Sequence, residues 1–289
     1  MQALWNSIID NLKQGLIEAI ILRFSGIFDS VNQQVGDVAS QIGQTPQSWN
    51  SGVFSMIQTL SETVVLPIAG MILTFVLCYE LITMIIEKNN MADFDTFNIY
   101  KWVFKTVVAV YILSNAFTIV MAVFELGQNV VNQSAGIISG NLNAGVPIAL
   151  ANLEAQLEAM GFFELIGLWL EIQIIDLCMS ALSICIFIIV YGRFIEIYLT
   201  VSIAPIPLAT MSNREWGSMG NNYLKALFAV AFQGFLIMIC IAIYSVLLQG
   251  IASASSIHAA IWETVGVTVL LCFTLFKTGS LSKSLFGAH

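Results

Sequence analysis

Leu177-Cys-Met-Ser-Ala-Leu-Ser-Ile-Cys-Ile-Phe-Ile-Ile-Val-Tyr-Gly-Arg193-Phe-Ile-Glu196-Ile-Tyr-Leu-Thr-Val-Ser-Ile203 holds one cation and one carboxylate in an otherwise apolar and weakly polar run. As a helix rising 1.5 Å per residue it reaches about 40 Å, more than the ~30 Å of a bilayer's hydrocarbon core. Four more apolar stretches flank it, at residues 64–86, 106–124, 227–248 and 257–276. The pattern predicts an all-α polytopic membrane bundle of about five transmembrane helices.

Composition agrees. The chain is 58% hydrophobic and 10% charged with a mean hydropathy of +0.86, whereas soluble surfaces need about a quarter of charged residues. The net charge of −8 leaves no basic stripe to neutralise phosphates, which argues against a nucleic-acid-binding face.

The placement of lysine and arginine orients the bundle. Lys88, Lys101 and Lys105 follow the first stretch, Arg193, Arg214 and Lys225 cluster around the end of the third, and Lys277 and Lys283 follow the fifth. The intervening segments 127–161 and 250–263 have neither residue. Cytoplasmic loops carry the basic residues, so the chain is expected in a bacterial cytoplasmic (inner) membrane, multi-pass, with the N-terminus outside and the C-terminus cytoplasmic. Lys13 and Arg23 dissent, and are expected to face outer headgroups.

Residues 1–50 are expected to form an extracytoplasmic segment, and 51–289 the transmembrane bundle. Leu4, Ile8, Leu12, Leu16, Ile20, Phe24, Ile27 and Val31 recur at helical spacing, which predicts an N-terminal amphipathic helix lying in the interface or packed on a neighbour. Asn32–Ser51, rich in Gln, Gly, Ser and Asn, reads as a polar linker, with Trp49 at the headgroups. The start mixes charges into its apolar residues, unlike a cleavable signal.

The hydrophobic region 162–203 is too long for one crossing, so part of it must protrude or bend. It ends at Ala204-Pro205-Ile-Pro207-Leu-Ala209. Each proline removes an amide donor and restricts the residue before it, so Pro205 and Pro207 predict a helix-breaking bend near the inner surface. Because the segment is apolar, it must pack against protein.

Five ionisable residues are candidates for pore-lining or intramembrane polar roles: Glu80, Glu171, Asp176, Arg193 and Glu196. A charge at such depth faces protein or water, or pairs. Glu80 could pair with Lys105 or Arg193. Arg193 and Glu196, three apart on one helix face, read most simply as a pair. Glu171 and Asp176 either line an acidic outer vestibule or sit on a solvated helix extension.

Chemistry is sparse. His258 and His289 have no Cys, Asp or second His at ligand or relay spacing, and no HExxH, GxSxG or GxxxxGK[ST] motif occurs. The five cysteines lie in apolar stretches and read as small buried hydrophobes. No enzymatic activity, metal or cofactor is expected, although bound phospholipid is compatible with the chain.

The run Ser61-Glu-Thr-Val-Val-Leu-Pro67-Ile-Ala-Gly70, the stretch Cys78-Tyr-Glu80-Leu, the linker Asp93-Phe-Asp95-Thr-Phe-Asn98-Ile-Tyr-Lys101-Trp102 and the bend Ala204–Ala209 resemble the TrbL-like family. Its members are polytopic inner-membrane channel subunits of type IV secretion (conjugal transfer) systems, and this chain is similar to the compact version of Gram-positive integrative elements. The resemblance spans about residues 50–285. It implies a homo-oligomeric ring among other secretion-system subunits, including ATPases, passing single-stranded DNA with its relaxase. A non-conducting scaffold for a secretion complex fits the residues as well, and a small membrane transporter or channel stays open, although the halves show no convincing repeat.

Overall fold

The computed structural model describes residues 2–86, 96–138, 154, 156–251 and 257–288. Every regular element among them is helical: α1 (Gln2–Ile42), α2 (Pro46–Trp49), α3 (Ser51–Leu60), a π-turn (Ser61–Val65), α4 (Leu66–Ile86), α5 (Thr96–Ser114), α6 (Ala116–Ile138), α7 (Phe162–Ser202), α8 (Pro205–Thr210), α9 (Gly217–Ile251) and α10 (Ile257–Phe286). Residues 87–95, with Lys88 and Asp93–Asp95, lie outside the described residues, as do 139–153 and 252–256.

Four rods are long and apolar enough to cross a membrane: Ser51–Ile86, Phe162–Ser202, Gly217–Leu248 and His258–Phe286. The protein is thus an all-α, multi-pass membrane bundle, as the hydropathy predicted. The stretch 106–124 is not the single straight helix expected. It breaks at Asn115, and the two pieces, Phe97–Ser114 and Ala116–Gly136, meet at 68°; counted as one bent span they make a fifth. At the break the Asn115 side-chain amide and backbone N–H both donate to Tyr111 O, at 2.9 and 3.2 Å. A local side-chain bond of this kind competes with the helical ladder.

The first rod is longer than its apolar stretch. Asn50 Oδ1 accepts from Val53 N at 3.0 Å and starts α3. Pro67 has no N–H, and in a regular helix its ring would collide with the carbonyl four residues back. The π-turn directly before it shifts the ladder, with Leu66 N–H donating to Ser61 O, so the rod continues through the proline.

The chain divides into two compact units. One comprises Met1–Gly43, Val131–Tyr191 and Phe235–Thr278. Within it Ile17, Ile20, Phe24, Ile27, Val38 and Ile42 are buried along one face of α1, the packed alternative for the amphipathic helix. The helix does not stop at Val31. Val38 and Ile42 extend its apolar face through the polar residues taken as a linker, and it ends just before Gly43, where a Cβ would stand 2.7 Å from Asn132 Oδ1.

The other unit comprises Gln44–Val130, Gly192–Gly234 and Gly279–His289. Its core gathers Ala69, Leu73 and Leu77 of α4, Leu113 of α5 and Ala209 of α8. The proline bend is therefore a short helix seated on protein, with Pro205, Pro207, Leu208 and Ala209 buried, as its apolar character required. Gly220 of α9 permits a close approach to the bend: a Cβ there would meet Met211 Cγ at 2.0 Å and Pro207 O at 2.6 Å. Gly127 does the same between α6 and α9, with Ala231 O 2.8 Å from its Cβ position.

Candidate functional site

Several ionisable groups inside the apolar rods meet partners on other helices, whereas many Ser and Thr hydroxyls bond back to a carbonyl of their own helix. In the unit containing the proline bend, α4 and α5 run side by side and place Lys105 Nζ on Glu80 Oε1. Trp102, one helical turn from Lys105, donates from Nε1 to Leu77 O at 3.3 Å. The second Glu80 oxygen is buried with no hydrogen-bond partner, so the carboxylate is held from one side.

Beyond the pair, Tyr79 Oη donates to Glu215 Oε2 at 3.2 Å. Trp216 stacks on Phe75 and Tyr79, at 5.4 and 5.9 Å between ring centroids. Asn213 shapes this corner, its Oδ1 accepting from Glu215 N at 2.7 Å.

Arg193 and Glu196 do not pair with each other. Glu196 Oε1 is 2.8 Å from Lys283 Nζ of α10. Arg193 is buried, its Nε has no partner, and its guanidinium lies 5.8 Å from the Phe194 ring. Helical spacing brought the two residues to one side of α7, but a residue on a neighbouring helix offered Glu196 a better-placed cation. Phe194 stacks on Trp49 at 4.5 Å and 7°, and Tyr198 Oη donates to Pro46 O at 2.7 Å. Trp49 is therefore a packing residue of the α2 segment rather than a headgroup anchor.

In the unit containing α1, each acidic candidate has a partner. Glu171 receives a hydrogen bond from Trp262 Nε1 and contacts His258 Nδ1 at 2.6 Å. Asp176 pairs with Arg23 at 3.3 Å. Lys13 donates to Glu158 O at 2.8 Å. Lys13 and Arg23 thus serve contacts within the protein, and an open wall of acidic charge is replaced by local pairs. Further along, Tyr244 Oη and Thr268 Oγ1 share a buried hydrogen bond of 2.7 Å.

The sequence offered Lys105 and Arg193 as partners for Glu80, of which the structure has Lys105, and it did not indicate Glu171 with His258 and Trp262, Tyr79 with Glu215, or Glu196 with Lys283. One signal was available: His258 and Trp262 are four apart and share a face of α10, ready to flank one carboxylate. The cysteines are all free. Only Cys272 is buried, while Cys78 and Cys178 are exposed on the chain's surface. Burial in a membrane protein counts contact with its own chain, and an apolar residue facing lipid needs none.

No group of three or more His, Cys, Asp or Glu that could hold a metal occurs among the described residues. The arrangement is one of opposite charges and aromatic rings that lock neighbouring helices together inside an apolar surround.

No curated protein and no solved structure matches the chain. A family model, described as TrbL/VirB6 plasmid conjugal transfer like protein, matches residues 31–205. That range is more than half of the sequence and takes in α3 to α7, including the Glu80–Lys105 pair and the helix break at Asn115. The chain belongs to the TrbL/VirB6 plasmid conjugal transfer-like family and is a membrane component of the conjugal-transfer, type IV secretion class.

Proposed function

We propose that this protein is the inner-membrane core subunit of a conjugative type IV secretion apparatus, several copies forming a ring through which a DNA strand and its attached relaxase pass. The observation carrying this reading is the incomplete burial of the intramembrane ion pairs. Glu80 and Lys105 keep 27% and 38% of their side chains exposed, and Glu196 and Lys283 keep 37% and 47%. Charges in a membrane face the interior of a bundle or water, so these sides belong against another copy or an aqueous lumen. Burial points the same way: 22% of the most apolar window of Ser51–Ile86 is buried within the chain, against 50% for Gly217–Leu248.

In this reading the N-terminus is outside and the C-terminus is cytoplasmic, and Arg214 and Lys225 face the motor ATPases on that side. The protein performs no catalysis and needs no cofactor; the ATPases supply the energy. Native mass spectrometry and particle imaging of the protein, purified in mild detergent with and without its operon partners, test it. A closed ring with a central opening is expected. A monomer in the fully assembled apparatus would sink the proposal.

A further inference from the structure

Two irregularities of the backbone meet at one place. The π-turn Ser61–Val65 and the helix break at Asn115 line a common cavity of about 320 Å³, together with Leu66, Leu113 and Pro205. π-turns occur frequently at functional sites, and irregular backbone at membrane depth is tolerated where it lines a cavity.

The lining sorts by chemistry. Glu62, Ser61, Ser114, Asn115 and Thr118 are polar, whereas Leu66, Leu113, Ala116, Phe117 and Pro205 are apolar. Ser61 is completely buried and its Oγ has no hydrogen-bond partner. A buried hydroxyl in that condition is unfavourable unless something occupies the site. Glu62 is exposed and has one oxygen held by Gln58 Nε2 at 2.9 Å. The first turn of α6, Ala116–Thr118, lines the same cavity. The first four amides of a helix have no acceptor within it, and they favour an anion.

Size and charge narrow the occupant. A bare ion would leave most of about 320 Å³ empty. No Lys, Arg or His is among the lining residues, so a purely anionic headgroup would meet Glu62 uncompensated. An ammonium beside Glu62 with a phosphate near the α6 amides and the hydroxyls of Ser61, Ser114 and Thr118 satisfies both ends. The apolar half of the wall then meets acyl chain.

We propose that the cavity between the π-turn and the Asn115 break is a binding site for an aminophospholipid headgroup, with Glu62 taking the ammonium and the α6 N-terminus with Ser61 taking the phosphate. The inference rests on the membrane embedding of the chain and not on the ring or channel reading, so either can fail alone.

The test uses full-length protein, delipidated in detergent and titrated with phosphatidylethanolamine, phosphatidylglycerol, phosphatidylcholine or soluble phosphoethanolamine. Native mass spectrometry gives occupancy and thermal unfolding gives stabilisation. Phosphatidylethanolamine should bind in preference to the other two lipids. Glu62→Gln should weaken that preference about tenfold, the size of a lost charge-assisted bond, and Ser61→Ala should weaken it less. Thr59→Ala, outside the cavity lining, serves as the control and should bind as wild type.

Equal retention of phosphatidylethanolamine and phosphatidylglycerol by wild type would overturn the proposal. So would an unchanged preference in Glu62→Gln, and so would stabilisation by soluble phosphoethanolamine equal to that by the lipid. If Glu62→Gln fails to fold, Ser114→Ala with Thr118→Val removes the lining hydroxyls contributed by α5 and α6. An unaltered preference there overturns the proposal as well.

Discussion

At the residue scale, the paired charges carry the most definite consequences. Glu80→Gln leaves Lys105 without its carboxylate in a part-buried, apolar setting. Breaking such a pair costs more than the pair contributes, because the remaining charge stays desolvated. With both side chains about a third exposed the full buried penalty does not apply, and about 1–2 kcal/mol is expected. Glu80→Gln combined with Lys105→Gln should recover most of that loss. Reversible unfolding in mixed detergent micelles reads both variants, and a double variant no more stable than the single one would contradict the pairing. For Glu171 the smaller change Trp262→Phe keeps the ring and removes one hydrogen bond to a carboxylate, for an expected loss of about 1–2 kcal/mol. The same measurement checks it, and a variant as stable as wild type would show that the bond contributes nothing.

The close approaches of backbone belong to the scale of elements. Gly220 lets α9 pass the proline bend, and a methyl there meets the Pro207 carbonyl, a backbone atom, at 2.6 Å as well as the flexible Met211 side chain. Gly220→Ala should therefore destabilise by about 1–3 kcal/mol. Adding Met211→Ala should rescue only part of the loss, since Pro207 O remains. Complete rescue would mean that Met211 alone is the obstacle. Much of this element layer was legible beforehand. The proline pair announced the bend, its apolar neighbours required it to be packed, and unbroken hydropathy gave α7 to within a residue or two. The break at Asn115 was not legible, because a single Asn among apolar residues is compatible with a straight helix. What bends this one is a local bond to Tyr111 beside the lining of a cavity. The extension of α1 to Ile42 was hidden for the opposite reason: its polar residues resemble a loop, while Val38 and Ile42 keep the packing face going. His258 and Lys283 each lie 87 residues from the carboxylate they meet, Glu171 and Glu196, and Trp262 lies 91 from Glu171, so no local pattern in the sequence points from the carboxylates to these residues.

On the scale of the whole molecule, the bent pair decides how the chain threads the membrane. If α5 and α6 together make one crossing, the chain crosses five times and the loop 139–153 lies opposite the loop 87–95. If they enter and return on the same side, the count is four and both loops share a side. Charge favours the first arrangement: Lys88, Lys101 and Lys105 crowd the earlier loop and its flank, while 127–161 has no Lys or Arg, and short cytoplasmic loops are the ones enriched in these residues. The 68° bend is no obstacle, because the residues at the break, Ser114 to Thr118, line a cavity with polar side chains on it, where irregular backbone is tolerated. A single cysteine introduced at Asn141, in a background with all five native cysteines replaced by Ala, should react with a membrane-impermeant maleimide in intact cells. One at Asn90 should react only after lysis. Equal protection of both positions in intact cells would mean that the bent pair is re-entrant, and would place the C-terminus on the same side as the N-terminus, since four crossings return the chain to where it began.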